Sequence, residues 1–432
     1  MKMLSLNLYN KLVLGLVLPF VILFFVALPT QLAMFNHLVF IAVCASSVFL
    51  NLFYLKKFMF KKIDFLYLCL TLLIIGSLFR TLFAGIIQSS SITLLIIKLC
   101  LLAANIFFAF KNTSNHSDNR QILRYLCYLL ICYVAMNFIL FVLGIQNRTQ
   151  SVNGGELGVS SLMSLIGIAH ERVLFFLAQG FQSFGFIIGL LFIYNSFMNY
   201  RLPMLKVMIS LVCLVVMILG DVRGALFISL ISIASIYLLS RIYVRQLNII
   251  VFSGFCIVIA GLILIVIGQA SLDVVSRDGA TVLSGREIIW FFTIAELSET
   301  SLFNLITGYG AWSQAISGVS DNYSFIFSNW ANPELASYHN AYLQVLMDIG
   351  LLGVVIYFVI LKDYLSVLSY ELYSDFHNKY FKLHLAVIIY YVLFGLFDIN
   401  LLFYNQMAFY IFSLHIFMVG CTKSKALLVT VK

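Results

Sequence analysis

The chain has 432 residues, of which 62% are hydrophobic and only 10% are Asp, Glu, Lys or Arg. A water-soluble protein of this length needs far more charge to cover its surface, so composition excludes a soluble class and makes lipid the solvent. The formal net charge of +9 would suggest a nucleic-acid partner in a soluble chain; here no nucleic acid is expected, and the placement of the charges is what informs.

In lipid every backbone polar group must be satisfied within the protein, so the expected fold is all-α, a polytopic membrane helical bundle. A window of about 19 residues gives about twelve spans: 11–29, 35–55, 63–82, 92–110, 124–144, 177–196, 205–220, 224–241, 248–269, 341–361, 383–400 and 402–420. Lys11 precedes the first apolar run, which is long enough to span and has no small-x-small cleavage site after it, so it reads as an uncleaved span. With the N-terminus inside, the loops 56–62, 111–124, 199–206, 241–246 and 362–382 are basic. Seven of the 26 Lys and Arg fall elsewhere, namely Arg80, Lys98, Arg148, Arg172, Arg223, Arg277 and Arg286, leaving 19 on the inner side. That alternation obeys the positive-inside rule and puts both termini in the cytoplasm. The whole chain, 1–432, reads as one membrane domain with a large outer loop at 270–340. The eight cysteines sit almost entirely in spans without a C-x-x-C pair and read as small packing residues.

Within the large loop, "SGREIIWFFTIAELSET" places Ser284 three residues before Glu287, a capping-box spacing. Ile288, Ile289, Phe292, Ile294 and Ala295 follow as an apolar face, so a helix is expected to lie on the membrane surface or to pack on the bundle. "GYG" (308–310) and "NP" (332–333) are turn signals. The loop is therefore partly ordered, which suits the wall of a site.

The outer side of the chain carries arginine and no lysine. A guanidinium is a planar, permanently charged fork that fits phosphate oxygens, whereas an ammonium is a point charge. Arg223 lies in the short turn "GDVRGAL", and Arg286 in the first turn of the predicted helix, where the helix dipole disfavours a cation unless an anion is to be bound. The structural alternative is a surface charge or headgroup anchor, which fits Arg148 and Arg277 best. His339, in "SYHNAYLQVLMDIGLLG", precedes an apolar run; imidazole exchanges protons near neutrality, although a polar interfacial anchor is the plainer reading. Asn340 reads as a helix cap, and Gly350 and Gly353 suggest close helix approach. Asp348 is about 13 Å from His339 along a helix and on roughly the opposite face, so it is not its direct partner. Lys98 and Asp348, charges at membrane depth, either pair structurally or line a carrier groove. No Walker motif, D-x-D or metal-ligand spacing occurs, so no cofactor or metal is expected and any chemistry should rest on a base and arginines.

"HNAYLQVLMDIGLLG" reads H-N-x9-G-x-x-G and resembles the signature of the O-antigen ligase/polymerase superfamily of bacterial inner-membrane glycosyltransferases. "DVRGALF" is similar to the family's arginine-containing turn, and "SGREIIWFFTIAELSETSLFNLITGYG" to its G-R-x-x-x-W helix and Gly-rich turn. "ERVLFFLAQGFQSFGFIIGLL" resembles its earlier outer loop, departing from the usual acidic-proline pair. The resemblance covers about 172–355. It implies the fold of the C-type membrane glycosyltransferases and a donor saccharide on undecaprenyl pyrophosphate, handled on the periplasmic face of the inner membrane. It implies His339 as general base for the acceptor hydroxyl, with Arg223 and Arg286 holding the pyrophosphate, and in-line inversion at the anomeric carbon. Arg172, Trp290, Tyr338 and Asn340 become candidates for substrate binding. Trp312, Tyr323, Trp330 and Tyr338 would stack on sugars or form an interfacial belt. The expected activity is polymerisation of repeat units into O-antigen or a related surface polysaccharide. The alternatives are a ligase transferring polymer to lipid A-core and, outside enzymes, a lipid-linked saccharide flippase. A chain-length regulator protein and membrane lipid are the further partners considered.

Overall fold

The computed structural model describes residues 30–53, 61–112, 116–145, 173–178, 181–200, 202–239, 244, 246–254, 256, 286–327, 332–398 and 406–420. The predicted span 11–29, most of 248–269, and Arg148, Arg172, Arg277, Ser284 and Trp330 lie outside these residues. The described chain is helical: α1 Thr30–Phe53, α2 Lys62–Ala84, α3 Ser89–Asn112, α4 His116–Val142, α5 Phe181–Phe197, α6 Pro203–Leu219, α7 Arg223–Leu238, α8 Arg286–Glu299, α9 Leu302–Thr307, α10 Ser313–Ile316, α11 Ala341–Ser374, α12 Lys379–Gly395 and α13 Gln406–Gly420. Three short 3-10 turns, Val319–Asn322, Ser324–Phe327 and Pro333–Leu335, lie between α10 and α11.

By length and composition four of these segments suffice to cross a membrane: Lys62–Ala84, Ser89–Phe108, Arg120–Val142 and Ala341–Ser374. Five more, Leu38–Phe49, Ser183–Phe197, Pro203–Leu219, Arg223–Leu238 and Met407–Gly420, are apolar but shorter. The expectation of about twelve full spans is thus met only in part. Seventeen residues rise about 25 Å against a hydrocarbon core of about 30 Å. Helix ends here are set by Pro203 and by the reversal at Gly220–Val222, close to the ends of the predicted spans 205–220 and 224–241. The predicted inner loop 362–382 is also corrected. α11 continues to Ser374, because Leu365, Val367, Leu368 and Leu372 keep a buried helical face there.

The centre of the bundle is α5, apolar around its circumference and buried at every residue from 184 to 195, as a helix surrounded by protein should be. It packs against α4, α6, α7 and α12. Gly185 and Gly189 give α5 one side-chain-free face. A Cβ on Gly185 would press on Val222, and one on Gly189 would overlap the Tyr390 hydroxyl. Small residues four apart let helices approach closely; here they draw the turn before Arg223, and α12, onto α5. Tyr390 then donates to the Phe186 carbonyl at 3.1 Å.

Residues 286–327 and 332–340 fold over one end of this bundle. Ala311 N donates to Ser77 O at 3.1 Å, Thr81 Oγ1 donates to Ala311 O at 2.6 Å, and Arg80 donates to Thr307 Oγ1, Asn304 Oδ1 and the Gly308 carbonyl. α2 thereby holds the last turn of α9. The decisive joint lies between Gly308 (φ 76°, ψ 175°) and Gly350 (φ 70°, ψ −172°), both in a region of backbone space that essentially only glycine enters. At Gly350 the helix α11 is broken, and the carbonyls of Met347 and Asp348 accept instead from Tyr309 N (2.7 Å) and Gly310 N (3.0 Å). A Cβ on either glycine would overlap the other strand's backbone. The predicted close approach at Gly350 is realised, against α9 and its turn.

Candidate active site at the mouth of α11

Three short-range anchors hold His339. Trp290 of α8 donates from Nε1 to the Tyr338 carbonyl at 2.8 Å. Tyr338, fully buried, accepts from Ser313 Oγ at 3.2 Å and packs with Ile289, Trp290, Val319, Tyr323, Ala336 and Met347 in a small core of its own. Asn340 closes α11: its Oδ1 accepts from Tyr342 N (3.0 Å) and Leu343 N (3.1 Å), and its Nδ2 donates to Leu396 O (3.1 Å). Between them His339 takes a left-handed conformation, φ 49°, uncommon outside glycine and enriched at histidine and asparagine. Its ring stacks on Phe327, with centroids 5.9 Å apart, and stays partly exposed.

The structure places three of the substrate-contact candidates, Trp290, Tyr338 and Asn340, in packing and capping positions. Trp290 is 2% and Tyr338 0% exposed; both side chains lie in the small core beneath His339, where they position the loop. Asn340, 6% exposed, spends its amide on the helix cap and on α12. Aromatic rings and amides are the groups most readily taken as sugar contacts, but here they are the buried groups that must find hydrogen-bond partners inside the protein. Tyr323 is likewise buried, donating to Ala336 O at 3.0 Å.

The arginines converge from two other elements. Arg286 is the first residue of α8 and Arg223 the first residue of α7. Arg286 is lowered from the usual arginine range, first by burial; the Arg223 charge acts in the same sense, while Asp398 and Glu287 oppose it. The two charges are thus close enough to act on one another. Arg223 is half-exposed and faces Asp221 through Nε at 3.7 Å. His339 belongs to the same cluster: burial, and secondly the Arg286 charge, hold its imidazole down at about 3. It is neutral at physiological pH. Val173 N donates to Leu219 O at 2.9 Å, and Leu177 is held by Tyr133 and Asn137 of α4, so the described part of the earlier loop, 173–178, is fastened to the turn that leads into Arg223.

Like charges side by side cost free energy unless an anion joins them. Two guanidinium forks at two helix N-termini, where free N–H groups also favour negative charge, are chemically suited to an anion.

Residues 208–358 match the family model described as O-antigen ligase. Over this stretch the chain is similar to the O-antigen ligase family. No curated protein matches the chain. The matched stretch contains Arg223, Arg286, Trp290, Tyr338, His339 and Asn340 together, and its last part includes the Gly350 break. Asp398 lies beyond it and is the member of the cluster that sequence reasoning missed. It is a buried carboxylate just after α12, and the available signal was an acid in the otherwise apolar stretch "YYVLFGLFDINLLF", a setting in which a charge faces protein. Glu287, predicted to answer Ser284 in a capping box, is 3% exposed and neither carboxylate oxygen has a hydrogen-bond partner among the described residues.

Asp348 stands apart, as its spacing predicted: it accepts from Ser313 N (3.2 Å) and Gln344 Nε2 (2.9 Å), which ties α10 to α11. Lys98, 7% exposed on α3, sits 6.0 Å from the Phe40 ring centroid.

Proposed function

We propose that this protein is a glycosyltransferase of the O-antigen ligase/polymerase type that joins saccharide repeat units carried on undecaprenyl pyrophosphate, at the periplasmic face of the inner membrane. The observation that carries the reading is the meeting of Arg223, Arg286 and an uncharged His339 at one end of the bundle. The arginines bind the pyrophosphate and stabilise the charge that grows on it as the glycosidic carbon–oxygen bond breaks, a task electrostatics performs with preorganised cations. His339 accepts the proton of the acceptor hydroxyl as its oxygen attacks the anomeric carbon from the opposite face, inverting the configuration. Asp398 keeps Arg286 charged and oriented. Arg172 is proposed as a further contact to the donor.

Arg286→Lys is the sharpest test. A point charge does not reproduce bidentate phosphate contact, so kcat/KM for the lipid-linked donor is expected to fall by at least about tenfold, the loss of one charge-assisted hydrogen bond of about 1.5–3 kcal/mol. Wild-type turnover of the lysine variant in a purified assay would remove Arg286 from the anion site.

The pH dependence follows from the sign of the His339 shift. With the free protein's imidazole held at about 3, the acid limb of kcat/KM, which reports the free enzyme, is expected far below the ordinary histidine range near 6.5. A bound pyrophosphate offsets the Arg286 charge, the second cause of the lowering, so the acid limb of kcat should lie at higher pH than that of kcat/KM. Coincident limbs near 6.5 would contradict this assignment. Folding is linked in the same direction: stability is full above about 6.5 and declines as pH drops towards 3, because only the unfolded chain takes up the proton.

Polymerase and ligase share donor and leaving group, so this cluster serves both; we favour the polymerase on the Phe- and Ile-rich, Pro-poor composition and on "SGREIIW" and "GYG". A deletion strain decides on a polysaccharide gel. Lipopolysaccharide with at most one repeat is the expected outcome, and bare core with long chains left on the lipid carrier would install the ligase.

A further inference from the structure

A second charged concavity lies at the other end of the bundle. α12 begins at this end and, about 25 Å further along at 1.5 Å per residue, delivers Leu396 and Asp398 to the His339 cluster. Around its first turn a cavity of about 340 Å³ is lined by Arg120, Arg124, His377 and Lys379, with Phe197 and Tyr380 as its aromatic walls. None of the described residues lining it is acidic. Arg120 stands over the Tyr380 ring, 5.7 Å from its centroid, and Lys379 donates to the Asn199 amide oxygen at 3.0 Å, so their local partners are a ring and an amide, which hold these cations in place without cancelling them. All four basic side chains are exposed and reachable by a ligand.

The surroundings say what kind of anion fits. On α4, Tyr125 and Tyr128 are 45% and 51% exposed, and Phe197 stacks at 6.2 Å on Tyr237, itself 72% exposed on α7. Aromatic rings with one apolar and one wet end gather at headgroup depth. Exposed rings near this basic cavity are the surroundings that a lipid headgroup site needs. Basic pockets between membrane helices hold anionic headgroups by this arrangement.

We propose that this cavity binds the phosphate of an anionic glycerophospholipid, with Arg120, Arg124 and Lys379 on the headgroup and Tyr128 and Tyr237 beside the chains. This is independent of the reaction assigned to the His339 cluster, because the readout is lipid retention.

The experiment uses the purified full-length protein, delipidated and exposed to phosphatidylglycerol or phosphatidylcholine, with bound lipid counted by native mass spectrometry. Phosphatidylglycerol is expected to be retained preferentially. The preference should fall about fivefold per cation removed, so roughly 25-fold in R124Q/K379Q, while R124K/K379R keeps it. Equal retention of the two lipids by the wild type, or an unchanged preference in R124Q/K379Q, would overturn the proposal. Displacement of the lipid by glycerol 3-phosphate at low concentration would also overturn it, assigning the cavity to a soluble phosphate. Should R124Q/K379Q fail to fold, a headgroup photo-crosslinking phosphatidylglycerol on the wild type replaces it. Label on the peptides carrying Arg120–Arg124 or Lys379 supports the site, and label confined elsewhere refutes it.

Discussion

His339→Ala is expected to reduce turnover of a purified lipid-linked donor by about 10²–10⁴-fold, the usual worth of a positioned proton acceptor, with the protein still accumulating in the membrane. The loop does not depend on the imidazole for its course: Trp290 holds the Tyr338 carbonyl and Asn340 caps α11 from either side of residue 339. One cost is separable. Residue 339 has φ 49°, and a left-handed alanine carries about 1–2 kcal/mol that glycine escapes and asparagine largely does. His339→Asn therefore keeps the backbone and removes the titrating group, and it should be as inactive as the alanine variant. If His339→Asn turned over donor at the wild-type rate, the imidazole would be a spacer and the base would have to be sought among the carboxylates near Arg286, Asp398 and Glu287.

Gly350→Ala should be the most damaging single methyl in the chain. The residue combines a glycine-only conformation, worth about 1–3 kcal/mol on its own, with a Cβ that would overlap the backbone of Ile306 and Gly308, which no rotamer change relieves. A total of roughly 3 kcal/mol or more is a large part of the 5–15 kcal/mol by which proteins are stable. The α9–α11 joint would open first, exposing 286–340 to protease before the rest of the bundle, and activity would be lost with it because α8 carries Arg286. Gly308→Ala should behave alike, and the double variant should cost less than the sum, since both break one joint. Gly353→Ala is the contrast: a Cβ there meets only the Ile349 side chain, and a milder effect is expected. Equal protease resistance of Gly350→Ala and wild type would mean that the break in α11 is not a feature of the folded protein.

Much of this molecule follows from residue types and their order. A chain with so little charge can satisfy its backbone in lipid only as helices, and the ends of α2, α3 and α6 fall within a few residues of the apolar runs that announce them. Arg223, Arg286 and His339 stand out because charge and imidazole are rare here and sit at helix mouths, where their local chemistry is legible without a structure. Helix lengths were less legible. Hydropathy does not register the buried face that carries α11 on to Ser374. The contacts of Trp290, Tyr338 and Asn340 were not legible for a related reason, since a side chain's chemistry is the same whether it meets a ligand or a backbone carbonyl. Asp398 was invisible as a partner of Arg286 because 112 positions separate them in "R286…D398" and only the return of α12 beside α11 closes that distance. The sequence alone thus determined the solvent, the helical class and which side chains are candidates for chemistry, since these depend on composition and local spacing. Which of those side chains meet, and through which pair of glycines, was decided by tertiary structure, because contacts between distant segments depend on how whole helices pack.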